Sequence, residues 1–296
     1  MSAPSRSAAR SISRATIGAS VDPFIHPIDA RWLMAYAAAL DETDPRYFDT
    51  LAVGGPLAHP LFAVCYEWPA ALALRDRGIA AALQPRSVHA THRLAIHRPP
   101  CAGDTLRTTG RVVAVEARRA GTRVLSRFVT IDAAGQPVTT TDYGSVYRGV
   151  PLVGAGPAPG PARSSVLAAT APPAPTWQER IDVAARAAWV YTECARIYNP
   201  IHTDLAVARG AGLPAPILHG TATLALAVSR ALRHASDGDP RCVAEVTATF
   251  TGMVAMPSSL TVRGAARPPD GIAFEVMDDS GAAVVAGGFM RLGAPA

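Results

Sequence analysis

Apolar and polar positions follow two different periods along this 296-residue chain, and the two recur in the same order twice. Residues Ala30 to Leu40 are rich in good helix formers and free of breakers, which predicts a helix. A second helix-like run spans Ala185 to Arg196 and stops just ahead of Pro200. A long apolar helix is predicted from Thr221 to Leu232, and an apolar segment introduced by His59-Pro60 stands at the matching place in the first half. Strand-like segments ending in a turn follow at Ala95–Leu106 and Thr249–Leu260. Each half closes with antiparallel strands. In the first they are Gly110–Glu116, Val124–Ile131 and Val138–Tyr147, with a turn at Ala133-Ala134-Gly135. In the second they are Leu260–Gly264, Ile272–Met277 and Ala282–Leu292, with a turn at Asp279-Ser280-Gly281. One helix followed by several antiparallel strands, twice, is an α+β pattern.

The repetition has a register. Pro45 and Pro200 are 155 positions apart, and Leu106 and Leu260 are 154 apart. Two landmarks whose offsets differ by a single residue argue for duplication of one unit. Residues 151–176 divide the halves, with seven prolines among Gly, Ala and Ser, and predict an extended linker without a core. The expected organisation is a disordered start over 1–20, a unit over 21–150, the linker over 151–176 and a second unit over 177–296. Two such sheets side by side would pair into one and hide their inner edges.

Nearly half the residues are hydrophobic and 17% are charged, as in a globular protein. The net charge is +5, but lysine is absent and the arginines are scattered, so no nucleic-acid partner is implied. A modest use for the positive balance is attraction of an anionic carrier. No apolar run approaches the ~18–20 residues of a membrane span. The four cysteines show no C-x-x-C pairing and no zinc-ligand spacing, which fits a reducing cytoplasm. His89, His92 and His97 are unevenly spaced on a predicted strand and do not suggest a metal site. No dinucleotide fingerprint, P-loop or G-x-S-x-G is present.

Candidate chemistry gathers in residues 191–224. Pro200 disfavours a helical Asn199, so Asn199-Pro200 reads as a rigid turn that delivers His202 to a fixed place. After sixteen intervening residues, His219-Gly220 stands just ahead of an apolar helix, where unpaired N–H groups and the positive end of the helix dipole point outward. An imidazole facing such donors is what proton transfer beside a polarised carbonyl requires. Asn-Pro-Ile-His followed by His-Gly and an apolar helix resembles the signature of the MaoC-like, R-specific enoyl-CoA hydratase (hydratase 2) family. The resemblance is specific in this stretch and extends more loosely over most of the chain. It implies a double hot-dog fold, in which each antiparallel sheet wraps a long helix and the two units are related by a pseudo-two-fold axis. It also implies a hydro-lyase acting on acyl thioesters. His202 is then the acid/base, Asn199 orients water or hydroxyl, and Gly220, with His219 beside it, binds the thioester oxygen.

One departure matters. The family pattern has an Asp five residues before the His, and here that position is Ile197. The first half diverges the other way, with Glu42 matching Ile197 and Tyr47 matching His202. That half reads as a degenerate scaffold shaping the acyl tunnel. The leading expectation is reversible hydration of a 2-enoyl thioester or dehydration of a 3-hydroxyacyl thioester. No metal or organic cofactor is expected, the acyl group being carried on coenzyme A or acyl carrier protein. The alternatives are an acyl-thioester-binding pseudoenzyme and an altered reaction, thioester hydrolysis or conjugate addition. A homodimer of double hot-dogs stays open.

Overall fold

The computed structural model describes residues 10–156, 173–235, 238–267, 269 and 271–294. In chain order its elements are β1 (Ile12–Ser13), β2 (Ser20–Pro27), α1 (Ala30–Ala39), α2 (Ala63–Gly78), β3 (Ser87–Ile96), β4 (Thr105–Arg118), β5 (Gly121–Ile131), β6 (Pro137–Arg148) and β7 (Leu152–Val153). There follow β8 (Trp177–Val183), α3 (Ala187–Ala195), α4 (Leu205–Gly210), α5 (Gly220–Arg233), β9 (Val243–Phe250), β10 (Ser258–Arg267), β11 (Gly271–Met277) and β12 (Ala283–Leu292).

Ten strands form one antiparallel sheet in the order β2-β4-β5-β6-β3-β9-β12-β11-β10-β8. Read from its two ends, the order runs through the same five positions of each half and meets at β3 and β9. There Leu94 faces Val246 and Arg93 faces Thr247 across the seam. α2 lies against β2, β4 and β5, and α5 against β10, β11 and β12, so each half of the sheet wraps its own long helix. This is the double hot-dog architecture, and pairing at the seam satisfies the inner edge of each unit.

Local sequence explains the helices. The Asp29 side chain accepts from Trp32 N at 2.7 Å and starts α1. α3 buries Ala188, Tyr191, Thr192 and Ala195, an i, i+3, i+4, i+7 stripe. That stripe packs on α1, and the hydroxyls of Tyr36 and Tyr191, 155 positions apart, meet at 3.3 Å. Asp41 (φ 55°) and Arg196 (φ 58°) are the non-glycine residues of positive φ among those described, and they too are 155 apart. In α5, Leu224, Val228 and Leu232 are buried on one row. Each such side chain contributes about 1.5–3 kcal/mol relative to exposure.

Four expectations change. Ala95–Leu106 is not one strand, because β3 ends at Ile96 and β4 begins at Thr105. Pro99 and Pro100 cannot donate ladder hydrogen bonds, and Arg98 ties the loop by bonds to Asp104 (2.8 Å) and Asp132 (3.1 Å). Thr249–Leu260 divides in the same way between β9 and β10. Disorder over residues 1–20 gives way from Ile12, which is buried and pairs in β1 with Leu152 of β7. The same pairing orders the first residues of the expected linker, while 1–9 and 157–172 lie outside the described residues. Among the described residues no helix is long and apolar enough to cross a membrane.

Candidate active site

α3 ends at Ala195 because Arg196 turns into the left-handed region, at a cost of roughly 1–2 kcal/mol for an L-residue. The Arg196 side chain is held from the other half of the protein, with its guanidinium 4.0 Å over the Trp32 ring and 3.9 Å from Asp29. Asn199 is extended (φ −124°, ψ 109°), as a following proline requires, and Pro200 opens a 3-10 turn that ends at His202. His202 N donates to Asn199 O at 3.1 Å. Asp204 then caps α4 by accepting from Ala206 N at 2.7 Å and Val207 N at 3.1 Å. His202 is therefore fixed between a proline-started turn and a capped helix.

Its ring has a defined tautomer. Nδ1 lies 2.9 Å from the Ile217 carbonyl, which can only accept, so the neutral ring carries its proton on Nδ1. Nε2 is left with a free lone pair and makes no hydrogen bond among the described residues. Burial pulls the His202 pKa down to about 4, against the opposing effect of the Ile217 carbonyl.

His219 stacks on this ring, with centroids 3.7 Å apart and planes 26° apart. Its Nε2 is 3.2 Å from Thr192 Oγ1, and its Nδ1 makes no hydrogen bond of ordinary geometry. Burial, then the neighbouring His202, push His219 down to about 2. Both rings are neutral at neutral pH, which spares the pair a like-charge repulsion.

Gly220, the next residue, opens α5, whose first N–H groups have no intrahelical acceptor. A Cβ here would sit 3.3 Å from the Phe250 ring, so the ring packs against the bare backbone. An imidazole lone pair beside helix N-terminal donors can take a proton while an adjacent carbonyl oxygen gathers charge.

The structure thus brings His202, His219 and Gly220 together. The Asn199 side chain is half-buried and makes no hydrogen bond among the described residues, while its backbone carbonyl holds His202. Ile197 is 4% exposed and belongs to the main apolar core. Thr192, Tyr191 and Phe250 were not among the candidates from sequence. Tyr191 lies 4.9 Å from the His219 ring and donates to Thr221 Oγ1 at 3.1 Å. Its shared offset with Tyr36 was a signal in the sequence, but Thr192 and Phe250 offered none.

The N-terminal counterpart is built differently. His59 Nδ1 accepts from Leu61 N at 3.0 Å, so this ring caps its own turn, whereas the His219 side chain caps nothing. Pro60 stands where Gly220 stands and has no N–H to offer. Tyr47, in the place of His202, is 2% exposed.

Residues 170–268 match the family described as MaoC like domain, and residues 15–141 match the FAS1-like, dehydratase domain region. The chain is 42% identical over 53 residues to the peroxisomal enoyl-CoA hydratase 2 of Arabidopsis thaliana, a stretch covering 18% of this chain and 17% of that relative. It therefore spans less than a fifth of that protein's length. The match to enoyl-CoA hydratase ChsH3 of Mycobacterium tuberculosis is 26% identical over 232 residues, 77% of this chain and 79% of the relative. Among solved structures, a MaoC-like dehydratase from Phytophthora capsici superposes with a TM-score of 0.79 at 20% identity, covering 94% of this chain and 97% of that one.

Proposed function

Because the chain belongs to the MaoC-like double hot-dog proteins, we propose that it is a hydro-lyase interconverting 2-enoyl and 3-hydroxyacyl thioesters. The observation that carries this reading is the His202 Nε2 lone pair at the start of α5. In the hydration direction Nε2 takes a proton from water as the water oxygen bonds to C3. Electron density moves to the thioester oxygen, which the Gly220 N–H receives, and the imidazolium then returns a proton to C2. Asn199 orients the water. The thioester itself acidifies C2–H, so the reaction asks for no metal or organic cofactor, and the acyl group arrives on coenzyme A or acyl carrier protein.

The rival reading is supported by Ile197. With an apolar side chain in the core where the family has its acid, the protein is an acyl-thioester-binding module without turnover, or runs hydrolysis or conjugate addition. Absorbance loss of crotonyl-CoA separates the two. Protein-dependent loss with 3-hydroxybutyryl-CoA as the product supports the hydro-lyase; loss with another product supports an altered reaction, and saturable binding of crotonyl-CoA without loss supports the module.

A further inference from the structure

The loop of residues 42–47 is the N-terminal counterpart of 197–202, and it borders open space. With Ser229, Leu232 and Arg233 of α5 it lines a cavity of about 380 Å³, within the range of small-molecule sites. Glu42 lies within it, its side chain 5% exposed and its Oε1 without a hydrogen-bond partner.

The neighbours explain why no partner is available. His59 Nε2 is 3.8 Å from Glu42 Oε1, but burial lowers the His59 pKa to about 3, so the ring is neutral. Its Nδ1 accepts from Leu61 N, which leaves the ring proton on Nε2, and that proton goes to Ser229 Oγ at 3.1 Å. Ser229 in turn donates to the Ala225 carbonyl at 3.1 Å. Ser229 reaches the Glu42 carboxyl as well, and Oε1 is the oxygen left without a partner. A buried acceptor without a donor costs free energy in the empty protein, and a ligand O–H or N–H would supply the missing bond. Burial pushes the Glu42 pKa up, opposed first by the Ser229 hydroxyl and then by the guanidinium groups of Arg233 and Arg230.

We propose that this cavity is a second, non-catalytic binding site for a small hydroxylated carboxylic acid, its O–H donating to Glu42 Oε1 and its carboxylate facing Arg233. The Arg233 side chain is 43% exposed, and Glu179 approaches it only to 3.8 Å, so it can take an anion. Arg46 across the cavity is held by Asp44, with Nε 2.9 Å from Oδ2. A cationic ligand would meet Arg230 and Arg233 around Glu42, which disfavours an amine. Tyr47 replaces His202 and Pro60 replaces Gly220, so the site holds its ligand without reacting it.

The test is titration of the full chain with 3-hydroxybutyrate, and with butyrate as the probe lacking the hydroxyl, by isothermal calorimetry. The expected result is binding of 3-hydroxybutyrate, with butyrate about tenfold weaker for the lost hydrogen bond. Glu42→Leu and Arg233→Ala should each weaken it by about tenfold or more, while His202→Ala leaves it unchanged. Glu42→Leu should keep or raise the melting temperature, since an unpartnered buried oxygen is removed. Arg233→Ala, on the surface, carries the test should Glu42→Leu fail to fold. No binding of 3-hydroxybutyrate to the wild type, affinity untouched by either substitution, or loss of binding in His202→Ala overturns the proposal. These readouts involve no turnover, so they stand or fall apart from the hydro-lyase reading.

Discussion

His202 and His219 lie face to face, 3.7 Å between ring centroids, with no carboxylate against either ring among the described residues. A protonated His202 would sit on a second imidazole in a buried site. Burial lowers its proton affinity, with the pKa at about 4. Such a base is available at all ordinary pH values but pulls weakly on a proton, because general bases work best with a pKa near the working pH.

The pH profile of kcat/KM should show this. The expected curve for crotonyl-CoA hydration is level from pH ~5 to ~8 and falls only as His202 protonates at about 4. An acid limb near 6.5, the ordinary value for histidine, would mean that His202 is more solvated than its surroundings indicate.

Replacing Ile197 by Asp restores the family's acid. An opposite charge nearby raises a histidine pKa by about 1–3 units, so the acid limb should move up, and the hydration rate should rise by roughly one to two orders of magnitude. Ile197 is 4% exposed, so the buried carboxylate should also lower the melting temperature, at a cost of several kcal/mol. Rate profile and melting curve on the same sample check both outcomes. A folded variant with an unmoved acid limb and no gain on a 2-enoyl thioester would count against a latent hydratase.

Gly220→Pro imitates the N-terminal half, where Pro60 opens the corresponding turn. Proline is well suited to the first helical position, so the fold should survive, but the N–H is gone. Loss of one such donor typically costs about 10²–10³ in kcat. Gly220→Ala is the control, because it adds the same Cβ against Phe250 and keeps the N–H. Equal loss in both variants, measured as kcat on crotonyl-CoA, would show that crowding matters and not the donor.

Much of this was legible in the sequence, and the exceptions have physical causes. β4 could be read because its period-2 burial leaves a direct mark, and β5, β6 and β10 to β12 because short apolar and β-branched runs are bounded by turn residues. α2 reads poorly as a helix because Pro69 lies inside it and Glu67 is buried in it. The sequence marked His202 and Gly220 through local devices, a proline turn and a helix start. Thr192 and Phe250 reach the site through the packing of α3 and the register of β9, which no local pattern records. The pairing of Ile12 with Leu152 was equally hidden, being a two-residue contact between segments far apart in sequence.

Buried titratable groups set the pH dependence of stability. His59 (about 3), His92 (about 4), His202 (about 4) and His219 (about 2) all have folded-state pKa values below the unfolded value of 6.5. Below pH 6.5 the unfolded chain therefore binds more protons, and stability falls as pH drops towards 4, by several kcal/mol in all. Glu67 opposes this, since burial raises it to about 8, so its contribution is present below 4.5 and is lost as pH rises through 8. Four histidines outweigh one glutamate. Melting temperature against pH should peak between ~6.5 and ~7.5 and drop steeply on the acid side. A flat curve from pH 4 to 7 would mean that the histidines are not buried as neutral rings.

The most direct measurement is crotonyl-CoA hydration by wild type and His202→Ala, with a melting curve on each sample. The expected result is turnover by the wild type, a loss of about 10²–10⁴ in His202→Ala, and nearly unchanged melting temperatures. Equal rates in the two proteins, or a His202→Ala variant that loses activity only because it unfolds, would contradict the assignment of His202 as the proton-transfer group.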